Sequence, residues 1–79
     1  MRKKEWLNLI HQMVKDTIPN SDWILPAIDQ SFHQCQYPSI FLYQISHGLQ
    51  LIREKIRNFQ VLTPDNIYWD LFNSESLRA

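Results

Sequence analysis

Three histidines and one cysteine are the side chains that could bind a metal ion or supply a nucleophile. His33 and Cys35 form the closest pair, and His11 and His47 lie far from them along the chain. Two helical residues two positions apart project about 200° from each other, which suits one shared ion poorly. No C-x-x-C pair accompanies them. The pattern favours a buried small thiol and solvated histidines, and predicts no metal site and no cofactor.

Other catalytic chemistry finds equally little support in the sequence. Nothing near Cys35 suggests an activated thiolate or an oxyanion hole. The carboxylates are scattered singly, so no general acid/base pair can be nominated. We therefore expect a protein that is not an enzyme.

The composition predicts an all-α fold in one domain, residues 1–79. The chain has 79 residues, of which 44% are hydrophobic and 13% aromatic, enough for one core. It contains a single glycine. Hairpins and phosphate-binding loops need several residues at positive φ, and this chain offers almost none.

Charge and cysteine content indicate where the protein works. Eight Lys and Arg residues balance eight Asp and Glu residues, so the cation excess typical of nucleic-acid binders is missing and no nucleic acid is expected as a partner. One cysteine cannot form an intramolecular disulfide, which favours a reducing compartment. The polar residues that interrupt the N-terminal segment argue against a signal peptide, and no apolar run is long enough to span a membrane. We expect a cytoplasmic protein.

Four prolines divide the chain into four predicted helices at about residues 3–17, 22–36, 38–58 and 63–75. The second segment leaves two alternatives open, because Pro26 would lie one turn inside a helix that began near Asp22. Either a short first turn and a kink precede Pro26, or the helix begins at Pro26. Its inner edge is predicted to consist of Ile28, Phe32 and Cys35.

Apolar side chains recur at helical spacing and predict the core. The first helix carries a broad stripe with Trp6 near its middle: Trp6, Leu7, Leu9, Ile10, Met13 and Val14. The third carries a seam spaced by fours and threes: Phe41, Ile45, Leu49, Ile52, Ile56 and Phe59. Such a seam suits near-antiparallel packing in a four-helix bundle. Gly48 lies beside the seam and is predicted to be a packing notch.

The fourth helix has a clear start signal in front of an aromatic cluster. Thr63 is predicted as its N-cap, with Pro64 at the first helical position and Asp65 in the first turn. The side chains predicted to close the core span an arc of about 140°: Ile67, Tyr68, Leu71 and Phe72. Trp69 lies outside this arc, and it is either a binding residue or an ordinary isolated hydrophobic residue at the surface.

Residues off the core stripes are the candidates for binding a partner. They are Trp69, the basic group Arg53, Lys55 and Arg57, and the apolar pair Leu51 and Ile40. Exposed tryptophan is enriched at interfaces. The pattern favours a solvated helix end for the basic group, and it slightly favours contact with a second helix of the bundle for the apolar pair. The pattern leaves these alternatives open.

One stretch resembles a known family: YPSIFLYQISHGLQLIREKIRNFQVLTPDNIYWDLFN. It has a long helix started by proline, with Ile45, Leu49 and Ile52 inside, then a short apolar link and a capped last helix. In this layout the chain is similar to the immunity proteins of pediocin-like bacteriocins, of the enterocin A type. The family's fold would be an antiparallel four-helix bundle.

The resemblance implies a function as well as a fold. Such proteins protect Gram-positive cells from a pore-forming peptide, acting at the inner membrane face on the mannose phosphotransferase permease engaged by the bacteriocin. Their specificity lies largely in the C-terminal half, which here corresponds to the end of the third helix, residues 59–63 and the fourth helix. The alternative is a small helical regulatory adaptor or DNA-associated protein. We expect a monomer or a weak homodimer, the latter burying Trp69.

Overall fold

The computed structural model describes residues 1–73, in which the chain forms four α-helices, one short 3-10 helix and no strand. The prediction of an all-α protein is confirmed. The α-helices are α1 (Lys3–Thr17), α2 (Leu25–Gln34), α3 (Pro38–Arg57) and α4 (Pro64–Phe72), and the 3-10 helix covers Ser21–Trp23. Residues 74 and 75, which the prediction assigned to α4, lie outside the described part. No helix in that part combines the length and the apolar character needed to cross a bilayer.

Two compact units divide the chain, Met1–Leu42 and Tyr43–Ala79. The first unit contains α1, the 3-10 helix, α2 and the first residues of α3. The second contains the rest of α3 and α4. The prediction of a single domain with antiparallel packing stays a prediction.

The segment around Pro26 follows the first of the two predicted alternatives. Asn20 adopts the left-handed conformation (φ 53°) and is followed by the 3-10 turn. Pro26 lies in the first turn of α2, where a backbone N–H would have no helical acceptor, so the missing donor costs little. The helix ends at Gln34, and Cys35 is its C-cap with a half-buried side chain. The prediction that the second helix runs from residue 22 to residue 36 is therefore wrong at both ends.

The core of the first unit joins α1 to α2. Its buried side chains are Ile10, Val14, Ile18, Ile24, Ile28, Phe32 and Phe41. Phe32 and Phe41 pack edge to face with ring centroids 5.9 Å apart, and His11 Nε2 is hydrogen-bonded to Asp29 Oδ1 across the two helices. The fully buried residues of α1 are Ile10 and Val14, and Trp6, which was predicted near the middle of the stripe, is half-buried.

In the second unit, the predicted seam of α3 is confirmed as far as Ile52. Ile45, Leu49 and Ile52 are fully buried. Ile56 and Phe59 were predicted to continue the seam, but both side chains are exposed. For Phe59 the prediction fails because α3 ends at Arg57, so the helical spacing no longer determines where its side chain points. Ile56 lies in the last turn of α3 and is 42% exposed.

The predicted packing notch at Gly48 is confirmed. A Cβ atom at this position would lie 2.4 Å from the carbonyl oxygen of Asp70 and 2.9 Å from the Cα atom of Leu71. Both neighbours are backbone atoms of α4 and cannot rotate away. Gly48 therefore lets the backbones of α3 and α4 approach more closely than any other residue would allow.

Candidate functional site

The link between α3 and α4 holds a phenylalanine in a conformation that normally selects glycine. Phe59 has φ 57°. Its N–H donates to Ile56 O (3.0 Å), and the N–H of Gln60 donates to Lys55 O (2.9 Å). These two hydrogen bonds define a Schellman motif, in which the left-handed residue after the helix is usually glycine. A bulky residue with positive φ is a rare conformation, often associated with function.

Nothing in the packing of the link offsets this conformation. The left-handed region costs a residue with a Cβ atom about 1–2 kcal/mol. The hydrophobic contact that commonly accompanies a Schellman motif would here join Gln60 to Lys55, which are both polar. The side chain of Phe59 is 95% exposed and that of Val61 84% exposed. We call the exposed side chains of Ile56, Phe59 and Val61 the link surface.

The start of α4 fixes the other end of the link. The backbone N–H of Asn66 donates to Thr63 Oγ1 at 3.1 Å, and Pro64 occupies the first turn. The predicted N-cap is confirmed. Because α3 ends in a Schellman motif and α4 begins with an N-cap, the backbone of the link is fixed by hydrogen bonds at both ends.

The inner face of α4 is held to α3 by polar contacts as well as by close packing. Ile67, Asp70 and Leu71 are its buried residues. Gln44 Nε2 donates to the carbonyl oxygen of Leu71 at 3.1 Å, which satisfies an acceptor at the end of the helix. Lys55 Nζ lies 2.7 Å from Asp70 Oδ2. These contacts, together with Gly48, place α4 on α3.

The ion pair of Lys55 with Asp70 changes the interpretation of the basic group. The Asp70 side chain is almost fully buried and the Lys55 side chain is one-third exposed. The ammonium group of Lys55 therefore stabilises the packing of α4 on α3 by pairing with a buried carboxylate. Sequence reasoning missed Asp70 because a charged residue is rarely placed in a core. Its spacing, three after Ile67 and one before Leu71, was the signal that could have placed it on the inner face.

The outer side of α4 is aromatic. Trp69 is 59% exposed and Tyr68 48% exposed. The ring of Tyr68 contacts that of Phe72 in a tilted arrangement, with ring centroids 4.6 Å apart. The prediction that Tyr68 closes the core is wrong, because the buried face of this short helix is narrower than the predicted arc and leaves Tyr68 at its border. Trp69 lies six residues after the N-cap, about 9 Å along α4 at 1.5 Å per residue.

The structure separates the remaining predicted binding residues. Arg53 and Arg57 are exposed near the end of α3, in the same unit as the link surface, and Leu51 is half-buried. Ile40 is half-exposed and belongs to the first unit. The candidate binding surface therefore consists of the link surface together with Arg57 and Trp69. Sequence reasoning named Arg57 and Trp69 but assigned Ile56 and Phe59 to the core.

No group of three His, Cys, Asp or Glu side chains that could hold a metal ion is present in residues 1–73. Comparisons of the chain with protein-family models, with curated proteins and with solved structures gave no match. Its function must therefore be argued from the exposed residues of the second unit.

Proposed function

We propose that this chain is a bacteriocin immunity protein of the enterocin A, pediocin-like type. It is a non-enzymatic cytosolic module that protects a Gram-positive cell from a pore-forming bacteriocin. Its partner is the mannose phosphotransferase permease engaged by the bacteriocin, which it meets at the inner membrane face through the second unit.

The observation that carries the proposal is the exposure of Phe59 and Val61 in the link. Large apolar side chains held out in solvent by an ordered backbone are typical of protein-binding surfaces, where aromatic residues and arginine supply most of the affinity. The link and α4 are also the part of the chain that corresponds to the specificity region of the family it resembles. Surface chemistry and resemblance thus point to the same residues.

The DNA-associated alternative has less support. A basic patch that binds DNA must offer its cations to phosphates. Lys55 is instead bound to Asp70, and the large side chains that the link exposes, Phe59 and Val61, are apolar. These features favour a protein partner over a phosphate backbone.

The proposal is tested by expressing the chain in a sensitive Gram-positive strain and challenging the cells with a panel of pediocin-like bacteriocins. We expect the killing threshold of one bacteriocin, or of a few related ones, to rise above that of cells with an empty vector. Phe59→Ala should abolish the protection. Gln50→Ala, an exposed substitution elsewhere on α3, should preserve it. Unchanged thresholds across a broad panel would refute the proposal.

A further inference from the structure

We propose that Phe59 is a preoriented anchor that inserts into an apolar cleft, bordered by carboxylates, on a folded protein partner. This inference rests on the proposed function, since it assigns the chemistry of the partner at the same surface. It adds which side chain enters the partner, and what kind of site receives it.

The backbone of the link indicates that the direction of the Phe59 side chain matters. Glycine in the left-handed position would form the same Schellman hydrogen bonds without strain. Phenylalanine there gives up stability and gains no burial against residues 1–73, since its side chain is 95% exposed. The left-handed backbone sets the direction of the Cα–Cβ bond of Phe59, and an anchor whose bond direction is already set loses less entropy on binding. The conformation is therefore useful where the ring must enter a cavity of defined shape.

The charges around the link indicate the border of that cavity. Arg57 is the one charged residue between Lys55 and Asp65, and its side chain is exposed two positions before Phe59. The ammonium group of Lys55 is bound to the carboxylate of Asp70, so neither of them determines the charge of the link surface. An apolar anchor with an exposed cation two positions away in the sequence is complementary to an apolar cleft with acidic side chains at its edge.

A lipid surface fits these observations less well than a protein. A bilayer accepts an aromatic ring in any orientation, so a strained backbone brings no advantage there. Phe59 and Val61 together present fewer carbons than a myristoyl chain, and one such chain alone gives only marginal membrane binding. The chain has no net charge that would add general attraction to anionic lipids.

The deciding variant exchanges two neighbouring residues, N58F/F59N. Composition and charge stay constant, the aromatic ring moves by one position, and asparagine tolerates the left-handed conformation. Wild type, N58F/F59N and Phe59→Ala are compared for protection of the sensitive strain. They are also compared for co-sedimentation with membrane vesicles from bacteriocin-treated sensitive cells, and with protein-free vesicles of phosphatidylglycerol and phosphatidylcholine. Circular dichroism and urea unfolding check that each variant is folded.

We expect wild type to bind the vesicles from treated cells and not the protein-free vesicles. Both variants should bind about 30-fold more weakly, the loss typical of an anchor residue, and should lose protection while remaining folded. Binding of N58F/F59N equal to wild type overturns the proposal. So does binding of wild type to protein-free vesicles that N58F/F59N retains, which would assign the surface to lipid.

Two further outcomes separate the anchor from the proposed function. If wild type and N58F/F59N protect cells equally, the anchor is refuted while the immunity function stands. If wild type protects against no bacteriocin, the immunity function is refuted, and the anchor with it. A wild-type dimer that Phe59→Ala dissociates in sedimentation would assign Phe59 to a second copy of the chain and would also overturn the proposal.

Discussion

Gly48 and Phe59 lie 11 residues apart in the sequence, and each occupies a position where the other type of residue is usual. Glycine is normally found just after a helix and larger residues inside it. Glycine occupies the interior of α3, where it costs about 1 kcal/mol relative to alanine. Phenylalanine occupies the left-handed position after α3, where glycine would be unstrained. At Gly48 the backbone of α4 explains the choice, because a Cβ atom would meet Asp70 O at 2.4 Å. At Phe59 no contact within the described residues explains it.

The contrast between Gly48 and Phe59 distinguishes residues that the packing of the protein requires from residues that binding requires. Position 48 is determined by packing inside the second unit, and substitution there should change stability. Under the proposal, position 59 is determined by a binding partner, and substitution there should change function while stability stays equal or rises. The following substitutions test this separation, beginning with the largest expected effect.

Leu71→Ala tests the packed side of α4. Leu71 is fully buried, so its truncation should lower the free energy of unfolding by about 2–5 kcal/mol. Urea or thermal unfolding followed by circular dichroism measures the loss. A loss below about 1 kcal/mol, the range of a peripheral residue, would show that α4 is not part of the core.

Gly48→Ala tests the close approach of the two helices. Alanine is the better helix former, yet its methyl group would have to displace the backbone of α4 at Asp70. We expect a net loss of about 1–3 kcal/mol, as for overpacking of a core. Gln50→Ala, an exposed position of the same helix, is the matched control. A Gly48→Ala variant as stable as this control would contradict the close approach.

Lys55→Met tests the ion pair that fastens α4. The substitution leaves the buried carboxylate of Asp70 without its ammonium partner, and should destabilise the protein by about 1–3 kcal/mol. Arg57→Met, two residues further along and exposed, should change stability by less than about 0.5 kcal/mol. Replacing the pair together, as Lys55→Met with Asp70→Leu, should recover much of the loss. Equal stability of the two single variants would refute the structural role of Lys55.

Trp69→Ala should have the smallest effect on stability. The side chain is 59% exposed, so we expect a change within about 1 kcal/mol, together with reduced protection of a sensitive strain. The same unfolding and killing assays apply. A loss of stability as large as that of Leu71→Ala would place Trp69 in the core and remove it from the binding surface.

Much of the fold could be predicted because it follows from local signals. The N-cap at Thr63, the prolines and the seam through Ile45, Leu49 and Ile52 depend on neighbours within one or two turns. The notch at Gly48 could be predicted because a glycine inside a strong helix needs a packing reason.

The binding surface could not be predicted from the same signals. The spacing of four and three continues through Ile56 to Phe59, so the pattern assigned both residues to the core. Where α3 ends is decided by the Schellman hydrogen bonds at Phe59 and Gln60, and phenylalanine in that position gives no sequence signal. The burial of Asp70 could not be predicted either, because a charged residue is not expected on the buried face of a helix.

The left-handed conformation of Phe59 lowers the stability of the protein. Urea unfolding of wild type, Phe59→Ala and Phe59→Gly tests this most directly. Phe59→Ala removes the ring but keeps a Cβ atom in the left-handed conformation, so its stability should equal that of wild type within about 0.5 kcal/mol. Phe59→Gly removes the strain and should be more stable than both by about 1 kcal/mol. Phe59→Gly equal to or less stable than Phe59→Ala would contradict the claim.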